Sequence, residues 1–453
     1  MSGSKRQMHL GVFLFDVGQH VGGWRHPNTY SDRLLDLSFY HDFARMAERG
    51  KFDTILVLEH LTIGGVKGIV TGERPFPQLD TLTVLAAMAS VTEKVGLTAT
   101  LTTTYNDPFH IASRLSTLDL LSGGRAGWNM VTSQDGAAPF QYSQQSLMPH
   151  ASRYERGSEF MDIVQACWDS WDPEAVKADA AAGLYFDPSK VRSFAYNGRH
   201  LSVSGKGYVP SSPQGHPVVF QSGSSESGKR VAAEKAEVVF TAQNNLPDAQ
   251  TFYASLKGML GDFGRTSDQL LVLSGLSPIL GSTEREAKEA EAYFAELVLP
   301  HVAVRVLSGH LDFDLSPYPL DGPLPYDEID IDSRMNKKAR VQLIKDWARR
   351  DKLTIRELSK RVVAAGGHYS FVGTPEQLAD LMEQWIDERG CDGFNIMPSH
   401  FPGGLEQFVD YVVPILQRRG RFRRDYEGST LRDHLGLALP TRFRPHPHSS
   451  ISR

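Results

Sequence analysis

The sequence predicts an α/β protein, a closed (β/α)8 barrel (a TIM barrel) with insertions, and three observations carry that reading. Eight short apolar, β-rich runs alternate with segments of helical periodicity along the 453 residues. Such alternation calls for a parallel sheet, because parallel neighbours need a crossing helix between them. The third run, GLTATLTTT, sets Thr98, Thr100, Thr102 and Thr104 on one face. A central strand of an open doubly wound sheet is apolar on both faces, so this polar alternation fits a strand lining a barrel mouth.

In order, the runs are His9–Phe15, Thr54–His60, Gly96–Thr104, Ala126–Ser133, Pro217–Ser224, Ala236–Ala242, Leu270–Leu280 and Asp392–Pro398. Between the first two, Phe39, Phe43 and Met46 share a helix face, and Gly50 ends that helix in the C′ position. Asp107-Pro108 starts a helix by cap and N1 proline, and Gly123-Gly124 stops it. Ser152-x-x-Glu155 reads as a capping box ahead of the run Phe160, Ile163, Val164, Cys167 and Trp168. A small hairpin is expected over 196–210, before the fifth strand. Residues 1–453 are read as a single barrel domain with an insertion at about 283–365 and a C-terminal extension at about 420–453. The insertion holds a charged helix, a Pro-rich loop and a basic helix, and insertions of this kind form lids or subunit contacts. The tail TRFRPHPHSSISR is expected to be mobile.

Composition excludes several classes. A net charge of -5, from 48 Lys+Arg against 53 Asp+Glu, argues against nucleic acid as the main partner. No apolar run approaches the ~20 residues that span a bilayer, so no membrane partner is expected. The start MSGSKRQMHLGVFLF is basic, then apolar, but the run breaks at Asp16 without a cleavage site. Cys167 and Cys391 make no disulfide framework, which suits a reduced, cytoplasmic setting.

Three constellations carry candidate chemistry. Gly223-Ser-Ser-Glu-Ser-Gly228-Lys229-Arg230 follows an apolar strand and opens a helix. Arg230 stands where a P-loop needs Ser or Thr for Mg²⁺, which rejects an NTPase. A Gly/Ser loop at a helix N-terminus still offers N–H groups and a positive dipole end to a metal-free phosphate such as that of FMN. Its bland alternative is a plain strand-to-helix turn. His150, Arg153 and Tyr154 at a helix start make a second anion site, or a merely solvated helix entry. Glu59-His60 ends the second strand, on the catalytic face of a barrel, where carboxylate and imidazole suit acid–base work; a lone Glu-His is more often a loop pair without a role. No H-E-x-x-H or C-x-x-C supports a metal site, and no G-x-G-x-x-G follows the first strand.

Seven segments together carry a resemblance: GGWRHP (22–27), TTTYNDPFHIAS (102–113), LDLLSGGRAGWNMVTS (118–133), RYERGSEF (153–160), SPQGHPVVFQSGSSESGK (212–229), VGTPEQLAD (372–380) and DYEGSTLRDHLGL (425–437). The chain resembles the bacterial-luciferase-like flavin monooxygenases, in the branch of the nitrilotriacetate, EDTA and dibenzothiophene-sulfone monooxygenases and the pristinamycin synthase subunit. TTTYNDPF, VVFTAQ and the GSTLRDHLGLALP tail look most like the nitrilotriacetate enzymes.

The resemblance implies a two-component enzyme. Reduced FMN (FMNH2) is a diffusible co-substrate delivered by a separate NADH:FMN oxidoreductase, and O2 is the oxidant. The implied small-molecule substrate is nitrilotriacetate or a related aminopolycarboxylate, hydroxylated beside nitrogen to iminodiacetate and glyoxylate, with Mg²⁺ arriving in the chelate. The alternatives are an organosulfur substrate, or a flavin-binding paralogue without oxygenase activity. A homo-oligomer, dimer or tetramer, is implied as well. Position by position, Ser224 and Ser225 match the family's phosphate loop, and His150 and Tyr154 its second phosphate anchor. Thr104, Asn129 and Thr132 match residues near the flavin. Glu59 stands where this branch has Asp at the flavin edge, and His60 is the candidate proton donor. Arg25 and Arg74, in loops after the first two strands, are the candidate substrate contacts, because guanidinium grips carboxylate in two places.

Overall fold

The computed structural model describes residues 6–62, 72–73, 75, 79–133, 138–330 and 338–441. Eight strands form the barrel: β1 His9–Leu14, β2 Thr54–Val57, β3 Gly96–Thr102, β4 Ala126–Val131, β5 Val218–Gln221, β6 Val238–Thr241, β7 Leu271–Leu280 and β8 Gly393–Ile396. Each is parallel to its neighbours. The order runs from β1 to β7 in sequence, and β8 closes the ring between β7 and β1. The expected barrel is therefore the observed one.

The register explains which side chains point inward. Gly11 lies opposite both Thr54 and Asn395, Thr98 opposite Gly127, and Asn129 opposite Phe220. The threonine face of β3 thus lines the interior, where the Thr98 and Thr54 hydroxyls meet at 2.8 Å. Buried hydroxyls are tolerated because each finds a partner across the ladder. The apolar interior is Phe13, Leu56, Phe220, Phe240, Leu273 and Met397 with their neighbours.

The same interior cluster holds Leu431, Leu435 and Leu437 from the C-terminal segment. A Cβ on Gly96 would lie 2.5 Å from Leu431 Cδ1, and one on Gly127 3.2 Å from Cδ2. Those glycines open the N-terminal end of the barrel to Leu431, so the extension stoppers the barrel from below. The expected mobility of the tail falls on residues beyond 441, outside the described ones.

Local signals mostly hold. Asp107 accepts from the Phe109 and His110 amides and caps helix Pro108–Leu121, a contribution of about 1 kcal/mol. Gly123 and Gly124 end it with φ of 71° and 89°. The hairpin before the fifth strand is present as Phe194–Asn197 against Ser202–Gly205.

Four details differ. Gly50 caps helix Leu37–Arg49 at φ -74°, and the left-handed residue is Lys51. Glycine is needed at 50 because a Cβ would lie 2.8 Å from Val409 Cγ2. Helix His150–Trp168 begins after Pro149, so Ser152 is inside its first turn and forms no capping box. Glu155 instead bonds Arg199 and His200 at 3.1 and 3.2 Å. A ninth strand, Tyr369–Gly373, extends the sheet on the outer half of β7, and a second hairpin, Val176–Asp179 against Leu184–Phe186, precedes the expected one.

The insertion consists of helices Glu284–Glu296, Pro300–Leu311, Lys338–Arg350 and Ile355–Ala365. It carries its own core, in which Leu307, Leu311, Ile344, Trp347 and Leu358 are buried.

Candidate active site

The C-terminal ends of the strands gather most of the expected residues into one mouth. On the β2–β5 side, Glu59 Oε2 accepts the Thr102 amide at 2.8 Å. Thr104 is buried and accepts the Ser133 amide at 3.2 Å. Asn129 donates to Thr100 at 3.1 Å and accepts from Ser222 at 2.8 Å. Side chains therefore cross-link β3, β4 and the residue after β5. The Thr132 methyl faces Gly157, where a Cβ would stand 3.6 Å away.

Helix His150–Trp168 leans over the loop after β5. A Cβ on Gly223 would lie 3.2 Å from Tyr154 OH and 2.3 Å from Gln221 Nε2, so glycine here leaves room that a larger residue would take from those side chains. The His150 ring lies 4.8 Å from that of Tyr154. Ser225 caps helix Glu226–Lys235 by accepting the Gly228 amide at 3.1 Å. Ser224 is exposed ahead of it. Glu226, in the first turn, is turned onto Lys229 at 2.8 Å. The two candidate phosphate anchors, far apart in sequence, thus meet at a helix N-terminus, and its free amides and the open Gly223 loop fit a phosphate.

The opposite side is aromatic. The ring of His60, exposed after β2, lies 5.8 Å from Phe15. Phe15 stacks on Phe13 at 6.0 Å, Phe13 meets Phe240 at 5.7 Å, and His368 stacks on Phe240 at 5.2 Å. Such a floor excludes water and suits a flat ring system.

One expected residue is engaged elsewhere. Arg25 donates to the Leu297 carbonyl at 2.6 Å and so braces the end of helix Glu284–Glu296. Arg74 lies outside the described residues. Arg153, read from the sequence as part of the second anion site, donates to the Ser133 carbonyl and pins the loop after β4. Sequence reading missed a second strut, Arg156, which donates to the Thr103 carbonyl and pins the loop after β3. It also missed His368, although the Gly366-Gly367 pair ahead of it marks a forced turn.

Burial pushes the Glu59 carboxyl from 4.5 up to about 7, with Asp80 adding to the rise and the Thr102 amide opposing it. A raised folded-state pKa means that Glu59 contributes stability fully below pH 4.5 and loses it as pH climbs through about 7. Glu59→Gln removes that dependence. Relative to wild type, the flavin-free variant is expected to gain about 1–2 kcal/mol between pH 5 and pH 8, allowing for partial exposure. Urea unfolding at the two pH values measures it, and a pH-independent difference contradicts the buried-acid assignment.

A barrel mouth that joins a helix N-terminus and an open glycine loop to an apolar aromatic floor suits an enzyme that uses a cofactor with a phosphate and a flat ring. The profile of the luciferase-like monooxygenases matches residues 8–393. The chain belongs to that family and is an oxidoreductase of the monooxygenase class. It is 46% identical to N-acetyl-S-(2-succino)cysteine monooxygenase of Bacillus subtilis, over 97% of this chain and 99% of that one. It is 43% identical to nitrilotriacetate monooxygenase component A of Aminobacter aminovorans, over 97% and 98%. Among solved structures, a riboflavin lyase with modified FMN and riboflavin superposes with a TM-score of 0.86 at 28% identity, covering 97% of this chain and 98% of that one.

The special likeness to nitrilotriacetate monooxygenase is therefore not exclusive, since a relative of higher identity is named for another substrate. The comparisons give no support to Mg²⁺, and among the described residues no three His, Cys, Asp or Glu side chains cluster to hold a metal. No helix among them is long and apolar enough to cross a membrane.

Proposed function

We propose that the protein is the oxygenating component of a two-component system, a reduced-FMN-dependent monooxygenase acting on a small polycarboxylate that carries an amine or a thioether. The observation that carries this reading is the meeting of the Gly223 loop with Tyr154 beside the aromatic floor, which fits a phosphate at one end and a flat ring at the other. Bound reduced FMN supplies the electrons with which O2 is split, one oxygen atom entering the substrate and the other leaving as water.

The chain's own residues bind, orient and shield. The Ser224–Ser225 loop, His150 and Tyr154 hold the phosphate. Thr104, Asn129 and Thr132 shape the wall against the ring. Glu59, able to exchange its proton near neutrality, would hold or release a proton on the carboxyl oxygen that does not accept the Thr102 amide. His60, at the rim against Phe15, passes protons to solvent. Phe13, Phe15 and Phe240 keep bulk water out, which protects the oxygenating chemistry from wasteful side reactions.

Two relatives named for nitrilotriacetate and for a succinylated cysteine support the substrate class, because both substrates are compact tricarboxylates. The name "component A" supports a separate reductase. The buried free thiols of Cys167 and Cys391 support a cytoplasmic setting.

Oxygen uptake with NADH, FMN and an added flavin reductase tests the reading. Uptake is expected with N-acetyl-S-(2-succino)cysteine or nitrilotriacetate, with or without Mg²⁺, together with oxygenated product. No NADH consumption is expected without the reductase. Turnover of an aryl sulfone alone contradicts the polycarboxylate assignment, and FMN binding without any turnover points to a flavin-binding protein.

A further inference from the structure

Among the described residues, several buried polar atoms on one side of the barrel lack a hydrogen-bond partner, beside a guanidinium without a counter-charge. Arg340, half-buried in helix Lys338–Arg350, donates to the Gly366 carbonyl at 2.7 Å. Among the described residues no carboxylate pairs with it, and burial lowers its pKa to about 10. A Cβ on Gly367 would lie 2.6 Å from its Nη1, so the guanidinium rests against the turn. Gly366 and Gly367 take φ of 60° and 88°, and that turn swings His368 over the barrel. A Cβ on Gly275 would lie 2.1 Å from His368 Nδ1. That nitrogen is buried without a partner.

Asn395 of β8 is 1% exposed, and neither its Oδ1 nor its Nδ2 has a partner. Its ladder neighbours are Gly275 and Gly11: the His368 ring packs over Gly275, and Asn395 Oδ1 would stand 2.8 Å from a Cβ on Gly11. Gln19, whose Nε2 would stand 3.1 Å from a Cβ on Gly366, has a buried, unpartnered Oε1. Burial, reinforced by the nearby charges of Arg340 and His310, keeps the His368 imidazole neutral.

An unmet buried polar atom is unfavourable, and an uncompensated buried charge is more so. A trapped water bridges an amide and an imidazole, but it does not neutralise a guanidinium. We propose that Arg340, with His368, Asn395 and Gln19, receives one carboxylate of the substrate, Arg340 supplying the counter-charge and the neutral groups fixing its orientation. This assignment rests on the polycarboxylate reading. It places the anionic end of the substrate across the mouth from Glu59, on the arm contributed by the insertion. A neutral sulfone has no need of it.

Steady-state kinetics with a fixed reductase test the idea, with N-acetyl-S-(2-succino)cysteine, nitrilotriacetate and their methyl esters. Arg340→Gln is expected to raise KM for the acids roughly 10- to 100-fold, the loss of a charge-assisted hydrogen bond. kcat, FMN affinity and the urea midpoint should hold, and the preference for acid over ester should shrink by the same factor. Arg340→Lys should recover part of it. Should Arg340→Gln fail to fold, Asn395→Leu, similar in shape but without the amide, is expected to raise KM in the same way. If wild type oxygenates a polycarboxylate while the variants keep its KM and its acid preference, the inference is wrong and the functional reading stands. If wild type oxygenates no polycarboxylate, the functional reading falls. Calorimetric titration of FMN-loaded protein with tricarballylate then decides separately: binding lost in Arg340→Gln supports the carboxylate receptor, and equal binding or none in wild type overturns it.

Discussion

Arg432→Ala is expected to destabilise the protein by about 3–5 kcal/mol, the cost of breaking a buried ion pair and leaving one partner uncompensated. Arg432 is 2% exposed. Its guanidinium grips both Glu237 oxygens and also donates to the Ala438 and His216 carbonyls at 2.9 and 3.3 Å. It therefore ties the C-terminal segment to the chain just ahead of β5 and β6, beside the Leu431 stopper. Arg432→Met with Glu237→Gln removes both charges and is expected to recover much of the loss. Chemical unfolding of the flavin-free protein reads both values. A single-variant loss under about 1 kcal/mol would show that the C-terminal segment is a surface appendage.

Gly223→Val is expected to weaken FMN binding roughly 10- to 100-fold, about 1.4–2.8 kcal/mol, with little change in the unfolding midpoint. The added side chain would collide with Gln221 Nε2 and crowd Tyr154 OH, so the loop has to close over the space left for the phosphate. Ser225→Ala is the milder companion, because the loop keeps its shape and its backbone amides. It should lose about 0.5–1.5 kcal/mol of FMN affinity and a similar amount of helix-cap stability. Fluorescence titration of both variants separates loop shape from a single hydroxyl. FMN binding by Gly223→Val equal to that of wild type would place the phosphate elsewhere.

Sequence legibility followed the range of the interactions. The eight strands could be read because each run is apolar over its own few residues and the helices between them carry their own period. Asp107-Pro108 was legible because a cap bonds amides two and three residues away. Ser152-x-x-Glu155 was misread for the converse reason. The pattern is locally sound, but Pro149 starts the helix earlier and Glu155 is drawn to Arg199 and His200, more than 40 residues on. Arg25 reads as a substrate contact from its loop position, and only folding brings the Leu297 carbonyl to it, 272 residues away.

By itself, the sequence determined the barrel, the strand ends that carry Glu59, Thr104, Asn129 and Ser224, and the two helix starts suited to an anion. These follow from periodicity, capping chemistry and glycine placement, which act over a turn or a strand. Tertiary structure alone decided that Tyr154 meets the Gly223 loop, that Leu431 fills the barrel from below, and that His368 Nδ1, the Asn395 amide and Gln19 Oε1 are buried without partners among the described residues. Each of these depends on ladder register and on close backbone approach between segments distant in the chain. A side chain's partner, or its lack of one, is set by what folding packs against it, and no local pattern records that.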